Sequence, residues 1–273
     1  MARYQGGHER LNDMTTPPPR PTPRDLLKGK TVVVTAAAGT GIGYSTAETC
    51  ADEGATVLLS DKHEERLESY ADRLQARIGR PVHRKACDVT NEMDVRSLVD
   101  YAQGVMGRID VWVNNAGLGG SVKLTEMSDE QWSRILDVNL TGTFRCMRAV
   151  LPVMEAQGAG SVINVSSIVA WRAEALQSAY AATKAGVLAM TRCSAMEVAP
   201  NNVRVNAVVP SLALHANLTK VTDPEFLKEL IKRNEAFGRA AETWEIGNAI
   251  AFLASDYSTY MTGEALSVSC RRA

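Results

Sequence analysis

The sequence is poor in the residues that staple small secreted folds or hold metal ions. Its five cysteines, Cys50, Cys87, Cys146, Cys193 and Cys270, are odd in number, far apart and form no Cys-x-x-Cys pair. Neither a disulfide framework nor a metal site is expected, and the thiols read as buried structural side chains in a reducing cytoplasm. The histidines do not make up for this. His8, His63 and His83 read as surface residues, and no two of the four, His215 included, are spaced as ligands. An excess of one charge is missing too, since 30 Lys and Arg face 31 Asp and Glu. That argues against nucleic-acid binding by phosphate neutralisation and against attachment to a membrane through a basic face. No apolar run approaches the ~18 residues of a membrane span. The N-terminus shows no apolar core of the signal-peptide kind. Proline is scarce except in one place, where Pro17-Pro18-Pro19-Arg20-Pro21-Thr22-Pro23 holds five of the ten. Proline cannot enter a sheet or a helix interior, so residues 1–28 read as a tail, disordered or lying as a strap, with an interaction arm as the alternative.

What remains is long enough for one sizeable core. From Lys30 onward short apolar runs alternate with longer helical patterns. Thr31–Thr35, Thr56–Ser60, Val82–Ala86, Ile109–Val113, Ser161–Val165, Val203–Val208 and Ala265–Ser269 read as strands, apolar on both faces as strands between helix layers must be. Segments near 42–53, 62–78, 91–106, 130–156, 178–199 and 242–254 read as helices. The pattern predicts one α/β domain over 29–273, with a seven-stranded parallel sheet, helices on both faces and right-handed crossovers. Residues 211–238 break the rhythm. They read as one or two short helices inserted before the last helix, either a lid over a site or a surface pair.

The first strand runs into Ala36-Ala37-Ala38-Gly39-Thr40-Gly41-Ile42-Gly43, and a helix follows. A pyrophosphate has to approach backbone N–H groups at a positively polarised helix end, and side chains would block it. Small residues in this strand–loop–helix context therefore predict a dinucleotide site around Gly39, Thr40, Gly41, Ile42 and Gly43. Asp61 ends the second strand, 18 residues past Gly43. A carboxylate there accepts hydrogen bonds from ribose hydroxyls and repels a 2′-phosphate, which favours NAD over NADP. Tyr44 stands where a basic residue would help NADP, although Lys62 and His63 adjoin Asp61. Asp61 also reads as a helix N-cap. Asp88, beside Val89, reads equally as a contact to the adenine edge and as a helix cap.

Tyr180 and Lys184 stand four apart in a helical pattern, so they share a face. An ammonium beside a phenol favours the phenolate and makes it a usable acid and base. Ser166-Ser167 and Asn114-Asn115-Ala116-Gly117 end two other strands, at the carboxyl edge where open α/β sheets hold ligands.

With these motifs the sequence resembles the short-chain dehydrogenase/reductase family, in its single-domain Rossmann form, over about residues 28–270. The motifs are Gly39/Gly41/Gly43, Asn114-Asn115-Ala116-Gly117, Asn139, and Ser167 thirteen residues before Tyr180, with Lys184. The resemblance implies that Ser167 binds the substrate oxygen and that Tyr180 exchanges a proton with it. Lys184 would bind the nicotinamide ribose and lower the tyrosine pKa, and Asn139 would hold a water in a proton relay. Val89, Asn115, Ala116, Gly117 and Pro210 would join the cofactor site, and the family is usually tetrameric. Three departures stand out. Ala36 replaces the Gly that usually follows the strand Thr, and the loop carries one extra residue before Gly41. His215 stands where a Thr is expected near the nicotinamide.

Leu118, Trp171, Gln177 and Leu212 are the candidate pocket residues, suited to a bulky, partly apolar alcohol or ketone. Asn115–Gly120, Arg192–Ala195, Glu235–Ala240 and Ser267–Cys270 resemble an actinobacterial branch of the family acting in sterol-ring catabolism. That likeness implies NAD-linked oxidation of a hydroxy-indane-propionyl-CoA thioester. The alternative within the class is a 3-oxoacyl-thioester reductase, whose carrier could meet Lys220, Lys228, Lys232 and Arg233. These four also read as a solvated helix face. Outside the class stand a non-catalytic dinucleotide sensor and a methyltransferase, neither of which accounts for the Ser–Tyr–Lys set.

Overall fold

The computed structural model describes residues 16–172, 174–221 and 223–270. Alternation of strand and helix builds the first half: β1 Thr31–Val34, α1 Ile42–Asp52, β2 Thr56–Asp61, α2 Glu64–Ile78, β3 His83–Ala86, α3 Glu92–Met106 and β4 Val111–Asn114. The second half runs α4 Asp129–Leu136, a π-helical turn Asp137–Thr141, α5 Gly142–Gln157, β5 Gly160–Val165, α6 Ser178–Val198 and β6 Val203–Pro210. Then come β7 Ala213–Leu214, α7 Ala216–Val221, α8 Pro224–Asn234, β8 Ala241–Glu242, α9 Thr243–Ala254 and β9 Ala265–Val268. Seven strands form one parallel sheet in the order β3-β2-β1-β4-β5-β6-β9.

The period of two along a strand sends alternate side chains into two separate cores. Val32 and Val34 pack with Cys50, Leu67, Leu74, Ile246 and Ile250 of α1, α2 and α9. Val33 and Leu58 pack on the other face with Leu98, Cys146, Val150 and Val198 of α3, α5 and α6. The chain order reverses between β1 and β4, and that switch point opens the ligand crevice at their carboxyl ends.

Several expectations change. β3 is not apolar on both faces. It reads His83-Arg84-Lys85-Ala86 and is half-buried, because a sheet-edge strand meets solvent. The helix expected over 130–156 is split by the π turn. Cys193 is exposed and Cys270 half-buried, while Cys50, Cys87 and Cys146 are buried. Cys193 sits with Arg192 and Met196 on the outer stripe of α6. Residues 211–238 hold two short helices and also β7, which pairs in parallel with β8.

His8 and the rest of residues 1–15 lie outside the described residues. From Arg20 the chain lies against α1. The Glu53 carboxylate accepts from Arg24 N at 2.9 Å and Leu26 N at 3.0 Å. Leu27 is fully buried and donates from its own N–H to Glu53 O.

Candidate active site

The loop after β1 is fastened before any ligand is considered. Thr35 Oγ1 donates to Val113 O at 3.2 Å and accepts from Asn115 N at 3.0 Å and Ala116 N at 3.3 Å. Asn115 Nδ2 donates to Thr35 O and Ala36 O at 3.1 and 3.0 Å, so this predicted cofactor residue braces the loop through its side chain. Ala36 takes φ +49°, a left-handed conformation that suits the Gly the family usually has there. The widened turn is tied to β2, with Ala37 N on Ser60 O at 2.8 Å and Ala38 N on Asp61 Oδ2 at 3.2 Å.

A nucleotide diphosphate fits this loop on three observations. A Cβ on Gly41 would meet no protein atom within 4 Å, so the space above it is open. A Cβ on Gly43 would lie 2.3 Å from Asn115 Nδ2 and 2.5 Å from Ala36 O, so only Gly allows the loop to lie this close to α1. The start of α1 has no side-chain cap and no acid in its first turn, which leaves its N–H groups for an anion. Thr40 is exposed and Ile42 half-buried at this edge. Tyr44 turns away from it, packing edge-on against Tyr70 with ring centroids 4.7 Å apart.

Asp61 is 4% exposed at the carboxyl end of β2. Besides Ala38 N, it accepts from His63 N and from Arg66 Nη2, each at 3.0 Å. The N-cap of α2 is His63, so Asp61 does not cap that helix itself. Asp88 Oδ1 accepts from Thr90 N at 2.9 Å and Thr90 Oγ1 at 2.8 Å, and Asn91 caps α3. Val89 is buried against Gly142. A cavity of about 480 Å³ beside the β2 and β3 ends is lined by Lys62, His63, Lys85, Asp88 and Asp94.

Four predicted residues converge on the other side of the crevice. Ser167 leaves β5 in extended backbone, its side chain near enough to the Tyr180 hydroxyl to favour the phenolate. Lys184 Nζ lies 5.5 Å from the Tyr180 ring centroid and donates to Val165 O at 2.8 Å. Ser166, next door, is spent on the backbone, with Oγ on Lys184 O at 2.9 Å. The π turn carries Asn139, fully buried. Its Oδ1 accepts from Leu118 N at 2.6 Å, and its Nδ2 donates to Leu118 O at 3.0 Å and Thr183 Oγ1 at 3.2 Å. A Cβ on Gly117 would fall 3.5 Å from Lys184 Nζ and 3.8 Å from Asn139 Oδ1, so a bare backbone separates the two. Burial pushes the Tyr180 hydroxyl up and the Ser167 hydrogen bond works against it. Burial pushes Lys184 down to about 8. For Tyr180 burial is the largest influence and sets the direction upward, against the lowering expected from the neighbouring ammonium.

On the pocket side, Trp171 is 49% exposed at the end of the short helix Ile168–Ala170, so it is not a core residue. Gln177 Nε2 donates to Ser121 Oγ at 2.9 Å, bracing the loop after β4. Pro210 ends β6, and Leu212 follows it into β7. His215 serves α7, its Nδ1 accepting from Leu218 N at 3.2 Å. Lys228 pairs with Glu225 and Arg233 with Glu174; Lys220 and Lys232 are exposed. Thr35, Arg66 and Thr183 went unmarked in the sequence, because a lone Thr or Arg carries no local signature.

The fold and a family match over most of the chain define the class, and the chain belongs to the short-chain dehydrogenase/reductase family, oxidoreductases of CH–OH groups that bind a nicotinamide dinucleotide. Residues 36–270 match the family model described as enoyl-(acyl carrier protein) reductase. The chain is 54% identical over 248 residues, 90% of it and 94% of the relative, to a Mycobacterium tuberculosis protein, (5R,7aS)-5-hydroxy-7a-methyl-1-oxo-2,3,5,6,7,7a-hexahydro-1H-indene-carboxyl-CoA reductase. It is 38% identical, over 89% of its length and 97% of the relative's, to 3-oxoacyl-[acyl-carrier-protein] reductase of Thermotoga maritima. A short chain dehydrogenase of Mycobacterium smegmatis superposes with a TM-score of 0.84 at 47% identity, covering 95% of this chain and all of that one.

Proposed function

We propose that this chain is an NAD-dependent dehydrogenase/reductase interconverting a secondary alcohol and a ketone on a bulky CoA thioester from sterol-ring degradation. The observation that carries the reading is the juxtaposition of Ser167, Tyr180 and Lys184 at the carboxyl edge of the same sheet whose other strand ends hold the Gly-lined loop and Asp61. The substrate class is supported by 54% identity to a relative named for a hydroxy-methyl-oxo-indene CoA thioester.

Bound nicotinamide supplies or accepts the hydride. Tyr180, whose hydroxyl holds its proton at neutral pH, gives that proton to the ketone oxygen in reduction and takes it back in oxidation. Ser167 Oγ fixes the same oxygen. Lys184 places a positive charge beside the phenol and would hold the nicotinamide ribose, and Asn139, across Gly117, would hold a water of the proton relay. Asp61 takes the adenosine ribose hydroxyls, which is the basis for NAD over NADP. Residues 211–238 close over the substrate as a lid, Trp171 and Leu118 wall the pocket, and residues 16–28 lie as a strap whose Leu27 is anchored in the core of the catalytic domain. Exposed Phe144 on α5 and Met196 on α6 support a homotetramer, and buried free thiols support a cytoplasmic site.

The test is nicotinamide absorbance at 340 nm with a hydroxy-indane-propionyl-CoA and a short 3-hydroxyacyl-CoA, each with NAD and NADP. Turnover of the first with NAD supports the proposal. Turnover of only the second moves the chain to 3-oxoacyl-thioester chemistry, and a preference for NADP removes the Asp61 argument.

A further inference from the structure

Glu235 is a carboxylate 2% exposed, outside the Ser–Tyr–Lys cluster, with no cation among the partners it holds. Its Oε2 accepts from Ser211 Oγ at 3.0 Å and from Cys270 Sγ at 3.1 Å, and its Oε1 accepts from Leu212 N at 3.4 Å. The cluster brings together three separate places in the chain. Ser211 and Leu212 follow Pro210 at the end of β6, Glu235 ends α8, and Cys270 follows the edge strand β9. Backbone bonds tie the same junction, with Ser211 N on Val268 O at 3.1 Å, Ala236 N on Cys270 O at 2.9 Å and Ala241 N on Leu212 O at 2.8 Å.

Between Leu212 and Glu235 the chain leaves the seven-stranded sheet to form β7, α7 and α8, and α8 buries little of itself. Leu227 is the buried residue of α8, while Phe226 on the same helix is 61% exposed. A segment with so little buried surface takes its position from its ends. Both ends meet at one carboxylate, which holds Ser211 and Leu212 just past the end of β6. A buried carboxylate stays there only if its acceptor capacity is used, and here three donors use it.

We propose that Glu235 is a positioning residue that clamps both ends of the 211–238 segment to the C-terminal strand and thereby sets the competent fraction of the thioester site. The inference rests on the proposed function only for the substrate that reads it out. When a binding-competent arrangement is populated by a fraction of molecules, the apparent dissociation constant rises by the inverse of that fraction. Loosening the clamp therefore raises KM for the thioester and spares the nucleotide half of the crevice, which β1, α1 and β2 build.

The experiment compares Glu235→Ala, Glu235→Gln and Ser211→Ala in the full chain. Three readouts are KM and kcat for the keto-thioester, Kd for NADH by fluorescence, and the rate of limited proteolysis within 216–234. Expected for Glu235→Ala is a KM raised about tenfold, kcat lowered less than threefold, an NADH Kd within twofold and cleavage at least fivefold faster. Glu235→Gln keeps an acceptor for Leu212 N and returns KM to within about threefold of the parent. Should Glu235→Ala fail to fold, Ser211→Ala removes one donor and still raises KM two- to fivefold. An unchanged KM, or an NADH Kd that weakens in step with KM, overturns the clamp. If the parent chain turns over no thioester, the proposed function fails instead. The clamp is then judged on NADH binding and proteolysis, where an unchanged cleavage rate overturns it.

Discussion

Lys184 carries its ammonium on a side chain that is 4% exposed, with Val165 O as its hydrogen-bond acceptor. Its pKa falls from 10.5 to about 8 because burial disfavours the charged form. Between those values the unfolded chain holds more protons at this position than the folded one, so stability rises with pH across that window. Below pH 8 the cost is fully present, on the order of 3 kcal/mol. Lys184→Met removes that cost. Its thermal midpoint at pH 7 is expected at or above the parent's, and the gap between the two should narrow as pH climbs from 8 to 10.5. A midpoint several degrees below the parent at every pH contradicts this. Tyr180→Phe keeps the ring and loses the proton. Turnover is expected to fall by at least about 10² while NADH affinity stays within twofold, measured by steady-state kinetics and fluorescence titration. The Tyr–Lys spacing and the Ser167 offset were readable in the sequence. The direction of the Tyr180 shift was not, because desolvation depends on what the rest of the chain packs around the phenol.

Among the elements, α1 and the α4–α5 pair show how local rules and packing divide the work. The loop into α1 is legible as Gly and Ala residues after a strand, and Gly43 has a close approach that no Cβ tolerates. Gly43→Ala is expected to cost about 1–3 kcal/mol by overpacking and to weaken NADH binding at least tenfold, seen by denaturant unfolding and titration. Thr46, in the second turn of α1, is fully buried, and its hydroxyl has no partner among the described residues. Thr46→Val keeps the shape without the hydroxyl and should stabilise by up to about 1 kcal/mol. A loss of stability there would mean that the hydroxyl has a partner the fold supplies in solution. The helix expected over 130–156 is in fact α4, a π turn and α5. Periodicity in the sequence is nearly continuous across the break. The extra residue is accommodated because Asn139 is drawn inward to Leu118 and Thr183, contacts 21 and 44 residues away.

For the whole molecule, the strap and the cofactor bear on the stability of one cooperative domain. Glu53→Ala removes the acceptor of two strap N–H groups and is expected to cost about 1–2 kcal/mol, or several degrees in thermal midpoint. NAD at a hundredfold excess over its Kd should raise stability by about 2.7 kcal/mol. NADP at the same concentration should give a smaller shift if Asp61 repels its phosphate, and an equal shift would remove Asp61 as the selector. Parallel pairing and helices on both faces follow from the sequence alone, since short strand patterns alternating with helical periods admit few packings, whereas the strand order and the polar edge strand β3 emerge only in the fold. The Gly loop, Asp61 and the Ser–Tyr–Lys set also follow from the sequence, as local patterns of residue type and spacing. Tertiary structure alone decided that Asn115 braces the loop, that Asp61 is shared with Arg66, that His215 caps α7, and that Glu235 joins three distant strand and helix ends. Each of these is a contact between side chains and partners whose neighbourhood exists only after the chain has folded, and a linear pattern carries no record of it.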